Sequence, residues 1–373
     1  MKNLAWLLII LLVTGTSCSS SSFPGNLFNK KTAREKYEDQ LDKQDLDQTP
    51  EGKLWLAAAG LALSNPQLIT LPYRLEGKFS AARPAALGLK FQAKRGEKLM
   101  IHFNKPESFV LYADLFHALS EDPVLTADTA HNDFSFDVAE SGEYMLRIQP
   151  ELFRGSVYEL SISIGPSLAF PVAGNKGHAG SFWGDERDGG KRSHEGVDIF
   201  APKRTPVVAA ADGYIGNVRE GGLGGKTVSM IPSGKNISLY YAHLDQQLVH
   251  TGQQVKLGDT IGLVGNTGNA RNTPSHLHFG IYSFSGAIDP LPFIDPTIKA
   301  APAIAHKNNL GQPVHLLHER KAPDGSLIGT SQTLLPLGVD AKNYFVQTQE
   351  GKVLEIPLGA VSEKRLKGHS WAG

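Results

Sequence analysis

Cysteine is almost absent: Cys18 is the only one. One cysteine forms no internal disulfide and no Cys-rich zinc site. Net charge is absent too, with Lys+Arg and Asp+Glu equal at 37 each. A balanced chain lacks the electrostatic footprint of a dedicated nucleic-acid binder, so no nucleic-acid partner is expected. No run beyond the N-terminus is apolar for long enough to cross a bilayer as a helix. What the chain has instead is 39 Gly and 22 Pro in 373 residues, the composition of a turn-rich, mostly β protein. That length suggests roughly two or three domains.

Lys2 precedes a ten-residue apolar block, Leu4 to Val13. The block is too short to span a membrane but right for the core of a signal peptide. Gly15, Thr16 and Ser17 follow, and then Cys18. The arrangement resembles a bacterial lipoprotein signal, with Gly15 where that family usually has Leu or another aliphatic residue. The resemblance implies a signal peptide over 1–17, cut before Cys18, and a lipid on that cysteine. The chain would then sit in the bacterial cell envelope, on the periplasmic side or the cell surface. It would be a membrane-anchored lipoprotein, with the outer membrane as the expected site. An ordinary secretory signal with an incidental cysteine is the alternative. More than one acyl chain gives stable anchoring. Ser19 to Ser22 read as a flexible tether, and the charged run 30–48 as a solvated helix or spacer, so 18–50 is tether and polar spacer.

Residues 51–69 hold a helical segment, rich in Leu and Ala from Glu51 to Ser64 and stopped by Pro66. From 70 to 166 the pattern becomes short alternating stretches: Leu87–Phe91, Leu99–Phe103, Phe134–Val138, Gly142–Ile148 and Tyr158–Ile164. Strands at this spacing predict a β-sandwich. The stretch Gly142 to Ile164 resembles the end of jelly-roll modules found beside secreted bacterial hydrolases. His102, His117 and His131 are scattered through it and read as structural or surface residues. Pro296 to Asn309 reads as a linker, and 310–368 as a small, SH3-like β-barrel.

The chemistry lies in 167–298. In His276-Leu277-His278-Phe279, residues two apart share a strand face, so both imidazoles project from one side and both apolar residues from the other. Two such histidines can both bind a metal, or one can bind while the other handles a proton. His194 and Asp198 are four apart and share a face in helix or strand, and Val197 to Phe200 alternates as a strand does. Two histidines and a carboxylate make a three-ligand set with a fourth position for water, the pattern of catalytic zinc. A third fragment, Leu239-Tyr240-Tyr241-Ala242-His243, follows a hairpin from Thr227–Ile231 through Pro232–Lys235. Counting by two puts Ile237, Leu239, Tyr241 and His243 on one face.

These fragments, in this order, resemble the lysostaphin/LytM-type zinc metallo-endopeptidases. The family's marks are His-x-x-x-Asp, a lone His after an aromatic pair, and His-x-His, spread here over about 130 residues. Supporting glycines at 252, 258, 262, 265 and 268 are also in place. Arg204 stands where the family usually has Gly, and Asn269–Ser275 replaces a commoner run. The resemblance implies an antiparallel β-sheet peptidase domain of the duplicated-hybrid-motif fold. It implies Zn2+ held by His194, Asp198 and His278, with His243 and His276 as catalytic residues acting on the water and the oxyanion. The implied substrate is peptidoglycan, cut at peptide cross-links or stem peptides. The flanking β domains would position the enzyme or bind envelope partners. A non-catalytic member of the fold, regulating other wall hydrolases by binding, is the competing reading; such proteins typically lack zinc ligands. A zinc peptidase acting on secreted proteins is another. Glu220 to Thr227 imitates a phosphate-binding loop but has Glu220 where that motif needs Gly. A glycine-rich hairpin, or a loop lining the groove, is expected there.

Overall fold

The computed structural model describes residues 31–127, 131–174, 176–187, 189–304, 310, 312–322, 325–348 and 351–362. The expected signal peptide, Cys18 and the serine tether lie outside the described residues, as do 363–368 of the expected barrel. The chain is mostly β and antiparallel. No described helix is long and apolar enough to cross a membrane.

Two helices open the described chain, α1 (Ala33–Asp42) and α2 (Pro50–Ser64). Thr32 caps α1 in a reciprocal box with Glu35, and Thr49 caps α2 ahead of Pro50. The polar run over 30–48 is more than a solvated spacer. Leu41 of α1 is buried with Trp55 of α2 against Tyr112 and Leu152. Arg34 is buried as well: its guanidinium lies 4.5 Å from the Trp55 ring centroid, and its Nε donates to Gln149 Oε1 at 2.9 Å. Charge counting misses this, because the stem of an arginine packs while its head finds partners.

Behind the helices, two sheets share one core. The first runs Gln67–Leu68, Leu87–Ala93, Gly142–Pro150, Leu111–His117, Pro123–Thr126. The second includes Tyr73–Phe79, Ser156–Pro166, Glu97–Asn104 and Asp133–Asp137. Leu75, Leu89, Leu99, Leu146 and Leu160 meet between them, fully buried. Alternation predicts the half-exposed strands, such as Glu97–Asn104, but not Leu111–His117, which is buried at six successive positions and shows no period.

The second sheet does not end with the sandwich. Glu76 and Gly77 pair with Val339 and Gly338, so the C-terminal strands Leu335–Val339, Asn343–Gln347 and Val353–Pro357 continue it. One face of these strands, through Leu337, Phe345 and Val353, packs into the sandwich core. The other, through Val339, Tyr344, Val346 and Ile356, covers a small core with Val314, Leu316 and Leu334. The segment expected as a separate barrel is thus joined to the sandwich by a shared sheet, a non-local pairing that no local pattern records.

The central region is built on an eight-stranded sheet. Its order is His178–Ser181, Val197–Phe200, His276–Ser283, Ser238–Ala242, Gly225–Pro232, Gly213–Gly221, Gln254–Val255, with Gly286–Ile288 paired to the third. Val197, Ile199, Tyr241, Leu277 and Phe279 form its buried face. The following chain is not a free linker throughout: Lys299 exchanges backbone hydrogen bonds of 3.0 and 2.8 Å with Ile164, and Arg74 Nε donates to Pro302 O at 2.8 Å. Leu168 N–H also donates to Phe293 O at 2.8 Å, and Lys235 pairs with Asp137 of the sandwich.

Candidate active site

The strand His276–Ser283 lies between Val197–Phe200 and Ser238–Ala242. Its alternation sends Leu277 and Phe279 into the core and leaves His276 and His278 on the opposite face. The antiparallel register then sets Asp198 directly across from His278, and Phe200 across from His276. Side chains opposite one another in such a ladder stand about 5 Å apart at Cβ, close enough for their polar tips to meet.

His194 arrives from a loop. Its backbone N–H donates to Asp185 O at 2.8 Å, and its carbonyl accepts from Gly184 N–H at 3.0 Å. Its Nδ1 faces the Phe182 carbonyl at 2.8 Å. A carbonyl only accepts, so Nδ1 carries the proton and Nε2 is left as a lone-pair donor. That Nε2 lies 3.0 Å from His278 Nδ1 and 3.0 Å from Asp198 Oδ1, and His278 Nδ1 is itself 3.0 Å from Asp198 Oδ1. The three atoms make an equal-sided triangle. Burial alone would push the Asp198 carboxyl up, but the adjoining His194 and His278 imidazoles outweigh it and hold the group well below the usual carboxylate range. Two ligand atoms about 2.0–2.1 Å from a tetrahedral zinc stand roughly 3.3 Å apart, so this donor set fits a zinc ion.

His243 and His276 stand beside the triangle. Their ring centroids are 5.0 Å apart, and His243 is 5.9 Å from His278. His276 Nδ1 donates to Pro274 O and His243 Nδ1 to Thr267 O, each at 2.9 Å. Both rings therefore keep Nε2 free of a proton when neutral. His276 Nε2 is 3.9 Å from Asp198 Oδ1. Burial, and then the neighbouring His276 and His278, push His243 down to about 4, so its ring is neutral near pH 7.

The counting by two that put His243 on the face of Leu239 and Tyr241 is overturned. Those two residues are in the core, whereas His243 lines the groove. His243 has φ 62°, a left-handed backbone just past the strand end, and this swings its ring to the groove side. Two loops hold it there: its N–H donates to Gly224 O at 2.8 Å, and its carbonyl accepts from Thr267 N–H at 3.3 Å.

The five residues line a groove of about 750 Å³. Leu223 and Gly224 of the glycine-rich turn form part of one wall, with Tyr240, Tyr282, Arg192 and Glu195 also exposed to it. Sequence reasoning missed Arg187, whose Nη2 donates to Asp198 Oδ2 at 3.0 Å. A single arginine in a polar loop carries no local signal of that contact. The scattered histidines sit elsewhere: His102 pairs with Asp133 on the surface, and His117 stands edge-on to Tyr144.

Residues 192–290 match the model of Peptidase family M23. The chain is 37% identical over 126 residues to an L-Ala–D-Glu endopeptidase of Bacillus subtilis, covering 31% of this chain and 38% of that one. It is 40% identical over 112 residues to a lipoprotein of Escherichia coli, 29% of this chain and 41% of that one. It is 41% identical over 88 residues to a peptidoglycan DD-endopeptidase of Vibrio cholerae, 24% of this chain and 20% of that one. The chain thus spans less than half the length of each of these relatives. The sheet, the His/Asp triangle and the family match coincide on one stretch: residues 192–290 are a Peptidase family M23 domain.

Proposed function

We propose that the chain is a zinc-dependent endopeptidase that hydrolyses peptide bonds of bacterial cell-wall peptidoglycan. The observation that carries this is the triangle of His194 Nε2, Asp198 Oδ1 and His278 Nδ1, with two further histidines beside it in an open groove. Relatives named as an L-Ala–D-Glu endopeptidase and a peptidoglycan DD-endopeptidase support the substrate class. Zinc would be held by those three atoms, and when bound it supplies Lewis-acid polarisation of a carbonyl and a water nucleophile near neutral pH.

The chain's own residues do the rest. His243 and His276, each anchored through Nδ1 to a backbone carbonyl, present Nε2 to the groove. A neutral imidazole in that pose accepts a proton from the attacking water and returns it to the leaving amine. The other, once protonated, donates to the oxygen that gains charge. The groove of about 750 Å³ is of ordinary ligand-site size and has room for a short stretch of peptide.

The protein would work in the cell envelope, held at the outer membrane by lipid on Cys18. The small residues before that cysteine and the lipoprotein relative support this. The deciding experiment is digestion of purified peptidoglycan, with mass spectrometry of the released muropeptides. Zinc-dependent release, abolished by chelation and restored by zinc, is the expected result. Binding to the wall without release would point to the non-catalytic alternative.

A further inference from the structure

We propose that Arg187 is a positioning residue that holds Asp198 to metal ligation through one oxygen. The inference rests on the zinc reading above and deepens it.

Asp198 is divided between two neighbourhoods. Oδ1 faces His194 Nε2 and His278 Nδ1, each at 3.0 Å. Oδ2 is turned away to Arg187 Nη2 at 3.0 Å. The same Nη2 donates to Ser181 Oγ at 2.6 Å. Ser181 Oγ in turn donates to Asp185 Oδ2 at 2.8 Å, and Asp185 also takes the Phe182 backbone N–H at 2.8 Å. Phe182 offers its own carbonyl to His194 Nδ1. The loop 181–187 therefore orients two of the three ligands at once, through one carbonyl and one guanidinium.

The chemical consequence concerns coordination number. A carboxylate can give a metal one oxygen or two. Catalytic zinc keeps three protein ligands and one open position. A second oxygen from Asp198 would crowd that position. The charge-assisted bond to Arg187 makes Oδ2 costly to release, because the partly buried guanidinium would lose its anionic partner.

The test uses the full chain with Arg187→Ala, Arg187→Met and Arg187→Lys. Zinc affinity is measured by competition with a chromogenic chelator, the visible spectrum is taken on the cobalt(II)-substituted protein, and the melting temperature is taken without metal. In Arg187→Ala the expected zinc affinity is about ten- to hundredfold weaker. Its cobalt bands lose intensity as coordination rises above four, while the metal-free melting temperature is unchanged. Arg187→Lys, which keeps a cation, recovers part of both. Should Arg187→Ala fail to fold, Arg187→Met keeps the packing of the stem and is read in the same way. Wild-type affinity and an unchanged cobalt spectrum in the neutral variants overturn the proposal. A wild-type protein that binds no zinc in this assay overturns the functional reading instead.

Discussion

The backbone N–H of His243 donates to the carbonyl of Gly224 over 2.8 Å, and so a left-handed histidine is tied to the tip of a glycine hairpin. The hairpin is tied in turn to the next loop: Cβ atoms added at Gly225 and Gly268 would each fall 2.4 Å from the other's nitrogen. Non-glycine residues in this backbone region cost on the order of 1–3 kcal/mol and persist where their surroundings over-determine them. The arrangement spends stability to aim one ring at the groove. His243→Ala and His276→Ala should each keep zinc and lose turnover by about 10²–10⁴. The double variant should not multiply the losses if the rings act as one unit. Metal analysis and muropeptide release on the same preparations check this. A variant that loses its zinc would move its histidine among the ligands.

Removing a vertex of the triangle should act differently. Among the described residues, His194, Asp198 and His278 are the one group of donor atoms close enough to hold an ion. His278→Ala leaves two donors and should lose zinc and activity together. Equilibrium dialysis against zinc is the measurement, and stoichiometric metal in the purified variant would sink the assignment.

Tyr241 offers a test of the fold apart from the chemistry. Its hydroxyl accepts the Ala210 backbone N–H at 3.1 Å in the buried core. Tyr241→Phe keeps the ring against Phe279 and strands that N–H. An orphaned buried donor costs about 1–3 kcal/mol. Denaturant melts should show the loss, while zinc content stays that of the wild type, because this ring faces away from the groove.

What was legible in the sequence follows from the range of each cause. His276 and His278 share a face because strands alternate, and that is local. The pairing of Asp198 with His278 is set by register between strands 80 residues apart, so only the family resemblance pointed to it. Alternation misplaced His243, since a single positive φ reverses parity and histidine does not announce one. Arg204 is the same kind of event: the resemblance expects Gly there, and the residue sits at φ 68°, where glycine is favoured. The polar helix α1 looked solvated because its contacts, Arg34 with Gln149 and Leu41 beside Trp55, are made with partners that a charge count cannot see.

The anchor rests on the sequence, since Cys18 lies outside the described residues. The apolar block Leu4–Val13, then small residues and Cys18, motivates Cys18→Ser. The variant should leave the membrane fraction or stall before signal cleavage. Fractionation and the mass of the mature N-terminus measure both. An unchanged membrane fraction with normal cleavage would count against a lipid on this cysteine.

Gly196, between His194 and Asp198, shows why the motif leaves no room for a side chain. Its backbone is not left-handed, so an alanine there meets no intrinsic strain. The obstacle is what stands in front of it. A Cβ would fall 2.6 Å from His278 Cε1, 2.8 Å from His278 Nε2 and 2.7 Å from the Phe279 carbonyl oxygen. The carbonyl belongs to a central strand and cannot retreat, so the backbone at 196, between two ligands, must shift and the ring must give way. That ring carries the donor atom lying 3.0 Å from both Asp198 Oδ1 and His194 Nε2. Ligating groups need placement within about 0.5 Å, and the clash exceeds that. Gly196→Ala should therefore weaken zinc binding while leaving the core behind Leu277 and Phe279 folded. Chelator competition and a melt of the metal-free protein separate the two effects. A variant with wild-type zinc affinity would show that His278 can be displaced without cost. A variant that fails to fold even with saturating zinc would place the cost of the side chain in the strand rather than the ring.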